Sequence, residues 1–164
     1  MVDDLIYRIA QGDKQAMDSL YEETKVAVYG FALSVACNTQ TAEYLMQETY
    51  IKVYSSAPAY IPNGNPMQWI LTISHDLASM NHITSSEPDI SPEDNNFQRA
   101  LDRFVLNASL SILNDEERQI IMLRDVSGLE HREIAKILEL PLPKVLILYQ
   151  QALFKLKYHL KELI

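Results

Sequence analysis

Residues 131–163 read HREIAKILELPLPKVLILYQQALFKLKYHLKEL. Arg132 to Leu138 has the spacing of a short helix. Glu139-Leu140-Pro141 then turns the chain, because proline cannot continue a helix. From Pro143 to about Leu163 apolar residues recur at helical steps. A short helix, a tight turn and a longer helix make a helix-turn-helix pattern. Many helical bundles contain similar turns, so the pattern becomes informative only with its neighbours. Placed on a wheel at ~100° per residue, Val145, Tyr149, Ala152, Leu156, Leu160 and Leu163 share one arc, which is the core face. The opposite arc holds Ile147, Gln151, Phe154 and Tyr158, flanked by Lys144, Lys155, Lys157 and Lys161.

Moving toward the N-terminus, Asn114-Asp115-Glu116-Glu117 opens another helix, its acids suited to the positive end of the helix dipole. That helix runs through Ile120, Ile121 and Leu123 to Val126, where Ser127-Gly128 stops it. Leu101, Phe104, Val105, Ala108, Ser109 and Ile112 suggest one more helix from Phe97 onward. Residues 84–96, TSSEPDISPEDNN, are polar and acidic with two prolines and no periodicity. They read as a flexible linker. We set the linker at 84–106, between domains at 1–83 and 107–164.

The first domain is also helical. Leu5, Ile6 and Ile9 share a face in Asp3–Gln11, and Gly12-Asp13 ends that helix. Lys14 to Val35 continues with Met17, Leu20, Tyr21, Val28, Phe31 and Ala32 at three- and four-residue steps. Asn38 to Thr41 breaks the pattern, with Thr41 as the expected N-cap. Ala42 to Tyr54 carries Leu45, Met46, Tyr50 and Val53. Pro58, Pro62, Asn63, Gly64 and Pro66 make a loop, and Pro66 suits the first turn of the next helix. That helix carries Trp69, Ile70, Ile73, Leu77 and Met80. The expected fold is all-α, with two small helical domains joined by the acidic linker.

Composition sets limits. Of 164 residues, 48% are hydrophobic and 22% charged, which is globular composition. No apolar run approaches the ~20 residues a membrane helix needs, and the acidic, polar opening MVDDLIYRIAQGDK is not a secretory signal, so no membrane insertion is expected. Cys37, in the run AVYGFALSVACN, reads as a small buried hydrophobe. The four histidines lack metal spacing; His75 and His82, seven apart, are the nearest to a ligand pair. No metal, no cofactor and no catalytic residue is expected. There is no nucleophile triad and no phosphate-binding glycine loop, and the adjacent His75 and Asp76 point about 100° apart on a helix. The chain is not expected to be an enzyme.

The net charge of −8 is the awkward number for any nucleic-acid reading, because phosphate contacts need Lys and Arg. Residues 1–83 hold four bases against nine acids, 84–108 two against five, and 109–164 eight of each. No segment is basic.

The order of the motifs resembles one family. Gly12-Asp13, Ala16-Met17 and Leu20-Tyr21 resemble the GD-x-x-A-F-x-x-L-Y opening of region 2 in extracytoplasmic-function sigma factors. Ala42 to Tyr50 is similar to that family's A-E-D-L-V-Q-E-T-F helix, and Trp69-Ile70-Leu71-Thr72-Ile73 to its W-L-x-x-I segment. Leu113, Arg118 to Arg124, Gly128, Glu133-Ile134-Ala135 and Ile137-Leu138 resemble region 4. The resemblance covers nearly the whole chain, in order, with a linker where the family has one.

That resemblance implies a sigma factor that binds core RNA polymerase and promoter DNA in the holoenzyme, in the cytoplasm. It implies that Glu43, Tyr44, Gln47, Glu48 and Ile51 meet the polymerase clamp. It places Trp69, Thr72, His75, Asp76, Ser79 and His82 at the −10 element. It places Arg132, Lys144, Ile147, Leu148, Gln151, Phe154 and Tyr158 at the −35 element or at a partner. An anti-sigma factor is the further partner it implies. Each residue also has a plainer reading: Trp69 as core, Gln47 and Glu48 as a solvated helix face, Gly128 as a helix stop.

The departures fall where DNA should be. The family's W-L-x-x-I-A-R-N-L-A-I-D-H-L-R-R is here WILTISHDLASMNHIT, with His75, Asp76, Met80 and Ile83 in place of arginine, asparagine, aspartate and arginine. In the last helix three arginine positions have become Leu148, Gln151 and Leu153. The turn's usual glycine is Glu139, a cost on the order of 1 kcal/mol if φ stays positive there. Each lost phosphate contact removes roughly one unit of salt dependence in log K. An apolar stripe through Ile147, Phe154 and Tyr158 suits a protein better than phosphates. It could equally pack on the first domain. The alternative function is therefore a sigma-like interaction protein that binds an anti-sigma factor, a co-sigma subunit or itself.

Overall fold

Asp13, at the junction of the first two helices, shows how local chemistry sets the path of the chain. In the computed structural model, which describes residues 1–62, 64–84 and 112–163 with side chains to Tyr158, helix α1 spans Val2–Ala10 and α2 spans Lys14–Ala36. The Asp13 carboxylate accepts hydrogen bonds from the backbone N–H of Gln15 and Ala16 and from the Arg8 guanidinium. Gly12, at φ +92°, supplies the reversal that a side chain would resist. Leu5, Ile6 and Ile9 then bury one face of α1.

Helix α2 is the axis of the molecule. From Val28 to Cys37 every residue is buried, on all faces. A helix apolar all round needs cover on every side, and here both halves of the chain supply it. Cys37 ends α2 in the left-handed region, at φ 52°. Helix α3 spans Thr39–Ser56. Its N-cap is Asn38, whose side chain accepts from the Thr41 N–H at 2.9 Å. The expectation of Thr41 as cap was wrong. Asn caps at least as well as Thr, and Thr39 and Gln40 extend the first turn back to it. After a 3-10 turn at Ala57–Ala59, α4 spans Pro66–Met80, with Asn65 as N-cap and Pro66 in the first turn. Buried hydroxyl pairs tie the bundle: Thr24 to Tyr50 at 2.7 Å and Thr49 to Ser74 at 2.8 Å.

The second half begins, among the described residues, at Ile112. The linker expected at 84–106 and the helix expected from Phe97 lie outside the described residues but for Thr84 and Ile112. Helix α5 spans Asp115–Ile121 and continues as a π-helical turn over Met122–Val126. Asn114 and Glu117 form a reciprocal capping box at its start. Gly128, at φ +73°, ends the segment. Helices α6, His131–Leu138, and α7, Leu142–Leu163, meet at a bend of 107° around Glu139, within the range of a helix-turn-helix. Val145 and Ala152 are fully buried, as the wheel predicts for the core face of α7.

The two halves close against each other and share one hydrophobic core, in which Phe31, Leu33 and Leu45 continue into Ile120, Leu123 and Leu129. Gly30 lies at the seam: a Cβ there would stand 2.5 Å from Met122 Cε. Arg118, 5% exposed, donates to the Leu113 carbonyl at 2.9 Å and across the seam to the Ser34 carbonyl at 3.5 Å. All described secondary structure is helical, and among the described residues no single helix is long and apolar enough to cross a membrane.

Candidate functional site

Three surfaces carry the residues singled out by sequence. The first is the outer face of α3. Leu45, Thr49 and Val53 point inward and are fully buried. The opposite side therefore faces solvent: Glu43, Tyr44, Gln47 and Ile51 are exposed and Glu48 is half-buried. Tyr54, exposed like Tyr44 and Ile51, extends this row by one turn. It was missed, although its i+3 spacing from Ile51 was available to find it.

The second surface is α4. Ile70, Leu71 and Ser74 turn into the core, which leaves Trp69 and Thr72 on the flank. They line a cleft of about 620 Å³ shared with α6, whose far wall includes Arg132, Glu133 and Lys136. The Trp69 ring packs against Tyr60 at a tilt of 53°, with ring centroids 4.6 Å apart. The Tyr60 hydroxyl donates to the Asp3 carboxylate, so the loop carrying it is tied to α1. Burial and that carboxylate raise the Tyr60 pKa well above the usual phenol value. At the cleft mouth Asn65 Nδ2 donates to Glu133 Oε1 at 3.5 Å. Thr72 and the cleft residues thus stand apart from the other α4 candidates. His75 is half-buried, its Nδ1 3.8 Å from the Asp76 carboxylate, which is beyond hydrogen-bond reach. Asp76 and Ser79 are exposed on the second half of the helix, and His82 is exposed beyond it. His82 lies past the helix end at φ 52°, so it no longer shares a helix face with His75.

Sequence reading missed Tyr60, Asn65, Gln68 and Lys136 as cleft residues. Lys136, four residues from Arg132, was within reach of helical spacing. Tyr60 was not, because it sits in a proline-rich loop without periodicity.

The third surface is α7. Ile147 is 56% exposed, Phe154 70% and Tyr158 61%, with Gln151 exposed and Leu148 half-buried between core and surface. The Phe154 and Tyr158 rings stack at 6.4 Å. The stripe therefore does not pack on the first half of the chain. Two of the lysines beside it are engaged: Lys144 pairs with Glu116 at 3.6 Å, and Lys155 with the fully buried Glu117 at 2.8 Å. Cations held by carboxylates are poorly placed to neutralise phosphates. Tyr149 turns inward, its hydroxyl 2.9 Å from the Asp125 carboxylate; burial first, then that carboxylate, raises its pKa. Arg132 is exposed on α6, at the cleft rather than on the stripe. Among the described residues no group of three His, Cys, Asp or Glu side chains could hold a metal ion.

Comparison with known proteins finds a family model and several similar chains. A family model described as "Sigma-70, region 4" fits residues 103–156. An ECF RNA polymerase sigma factor SigK of Mycobacterium sp. (strain KMS) is 32% identical over 122 residues, covering 73% of this chain and 63% of that protein. SigK of Mycolicibacterium vanbaalenii is 26% identical over 150 residues, covering 82% and 76%. The chain thus spans under two thirds of the first relative's length. Among solved structures, CnrH in complex with the cytosolic domain of CnrY aligns with a TM-score of 0.71 at 20% identity, over 98% of this chain and 97% of that one. The sigma factor RpoE of Bartonella quintana, in complex with the anti-sigma factor NepR, aligns at 0.62 and 18% identity, over 87% and 97%. At such identities these two show the fold.

Proposed function

The chain belongs to the extracytoplasmic-function sigma factors of the sigma-70 family, and from that premise we propose that it binds core RNA polymerase and directs promoter-specific initiation. In this reading 1–83 is region 2, 84–106 the linker and 107–164 region 4. Glu43, Tyr44, Gln47, Glu48 and Ile51 dock on the polymerase clamp. Trp69, Thr72, His75, Asp76, Ser79 and His82 meet the −10 element. Arg132, Lys144, Ile147, Leu148, Gln151, Phe154 and Tyr158 meet the −35 element or a partner. The protein acts in the cytoplasm, as a regulator and not an enzyme.

The observation that carries this reading is the open α3 face: Tyr44 and Ile51 are 49% and 62% exposed on a helix whose other side is core. Large exposed apolar side chains in a row mark a contact surface. The test is a titration against fluorescently reported core RNA polymerase, followed by transcription from a genome-derived template library. Nanomolar binding with initiation above that of core alone supports the proposal. No binding at micromolar concentration removes it.

The α7 stripe favours a second reading, a sigma-like interaction protein. Phe154 and Tyr158 stand exposed where a DNA reader would place cations, and Lys144 and Lys155 are already paired. The partner there would be an anti-sigma factor, a co-sigma subunit or a second copy. CnrH with CnrY, and RpoE with NepR, are precedents for a bound partner on this fold.

A further inference from the structure

The cleft between α4 and α6 brings together groups that the fold itself leaves unused. One wall is aromatic: Trp69 and Tyr60 pack against each other and both line the cleft. The bond from the Tyr60 hydroxyl to Asp3 holds that ring in place. The opposite wall is α6, where Arg132 and Lys136 stand one turn apart on one face. Both are exposed, and among the described residues neither has a hydrogen-bond or ion-pair partner. Unpaired cations are unexpected in a chain with 22 acids against 14 bases. On α7, Lys144 and Lys155 both find carboxylates. The carboxylates along α6 are already engaged. Glu133 Oε1 accepts from the Glu130 N–H at 2.9 Å and from Asn65 at 3.5 Å, and Glu130 belongs to the same capping box. Their charge sits at the positive end of the helix dipole, which offsets it. Between the walls, the Gln68 side-chain amide is free among the described residues and offers both a donor and an acceptor. Thr72 is committed, its hydroxyl donating to the Gln68 carbonyl at 2.6 Å.

We propose that this cleft binds a small aromatic acid, its planar ring against Trp69 and Tyr60 and its single oxyanion, a carboxylate or a phosphate, held by Arg132 and Lys136. A cleft of about 620 Å³ is the size of a small-molecule site. Aromatic rings gain from offset or edge-on packing with one another beyond simple burial. Arg132 presents a planar fork to an oxyanion and Lys136 a point charge. Charge also sets an upper limit. The walls carry Glu130 and Glu133 as well as the two cations, so a polyphosphate chain would meet repulsion. The site stands on the geometry of the cleft and does not need the sigma-factor reading. Its occupant would cover Trp69, Thr72 and Arg132, which that reading assigns to DNA.

The test uses the full chain, in which Trp69 is the only tryptophan and so reports from inside the site. Benzoate, phenyl phosphate and adenosine monophosphate are titrated, with fluorescence quenching checked by calorimetry. Acetate, which lacks the ring, and benzyl alcohol, which lacks the charge, are the controls. At least one of the three aromatic acids is expected to bind with a dissociation constant below about 1 mM. It should bind at least about tenfold more tightly than either control. Benzoate ahead of phenyl phosphate supports the proposal with a carboxylate ligand, and the reverse order supports it with a phosphate. Arg132→Ala and Lys136→Ala, both at exposed positions, are expected to keep the helical circular dichroism and to weaken binding by about tenfold when combined. Neither heat nor quenching from any of the three acids up to about 5 mM overturns the proposal. So does benzyl alcohol binding as tightly as the acids, affinity unchanged in the double variant, or adenosine triphosphate binding more tightly than the monophosphate. A chain that binds core polymerase but no probe loses this site and keeps the sigma-factor reading.

Discussion

Glu139 holds a backbone angle that its side chain resists. At φ 57° it occupies the left-handed turn between α6 and α7, where glycine carries no Cβ penalty. Glu139→Gly is expected to stabilise the chain by about 1 kcal/mol, read as a higher urea midpoint at unchanged slope. Sequence alone flagged this position, because turn chemistry is local. Tyr50 is the converse case. Burial pushes its hydroxyl up to about 12, against a smaller opposing effect of its bond to Thr24. The folded state thus holds the phenol proton more tightly than the unfolded chain does. The resulting stability is complete below about pH 10 and is lost as pH climbs toward the folded value. Chemical denaturation across that window should show a fall of about 2–3 kcal/mol attributable to Tyr50, and Tyr50→Phe should flatten it. Tyr60, also raised, works in the same direction. The pairing of Tyr50 with Thr24, 26 positions away, was not legible in the sequence.

At the scale of elements, periodicity carried most of the information. The core arc of α7 was legible because Val145, Tyr149, Ala152 and Leu156 repeat at helical steps. The start of α3 was misjudged because two polar residues three positions apart, Asn38 and Thr41, both suit a cap, and only the bond from the Thr41 N–H to Asn38 decides between them. The stripe on α7 was legible as apolar, but not as exposed: the same pattern would serve a helix packed on another. Because Ile147 and Phe154 are 56% and 70% exposed, changing both to Asp should leave stability within about 0.5 kcal/mol of wild type. If the second reading of α7 holds, the same pair of changes abolishes capture of the partner in a pull-down. A large drop in thermal midpoint would show that the stripe is core after all.

At the scale of the molecule, the seam dominates. Two bundles that share a core should unfold together. The single Trp69 lies on α4 and lines the cleft shared with α6, so its fluorescence reports the first half and its junction with the second, while far-ultraviolet circular dichroism reports helices in both. Coincident urea transitions are expected from the two probes. Separated transitions would mean that the halves melt independently and that the seam adds little. The sequence determined the described helices and the turns between them, though not the cap of α3, together with the order of motifs and the family, because those depend on residues within one or two turns of each other. It also determined which side of α7 is core. The tertiary structure alone decided that the halves close, that Gly30 seats Met122, and that Trp69 and Arg132 face one cleft while the α3 row stays open. Those facts depend on contacts between residues far apart in the chain, such as Ser34 with Arg118 and Asn65 with Glu133. No local pattern encodes such pairings, since each partner alone reads equally well as surface or core.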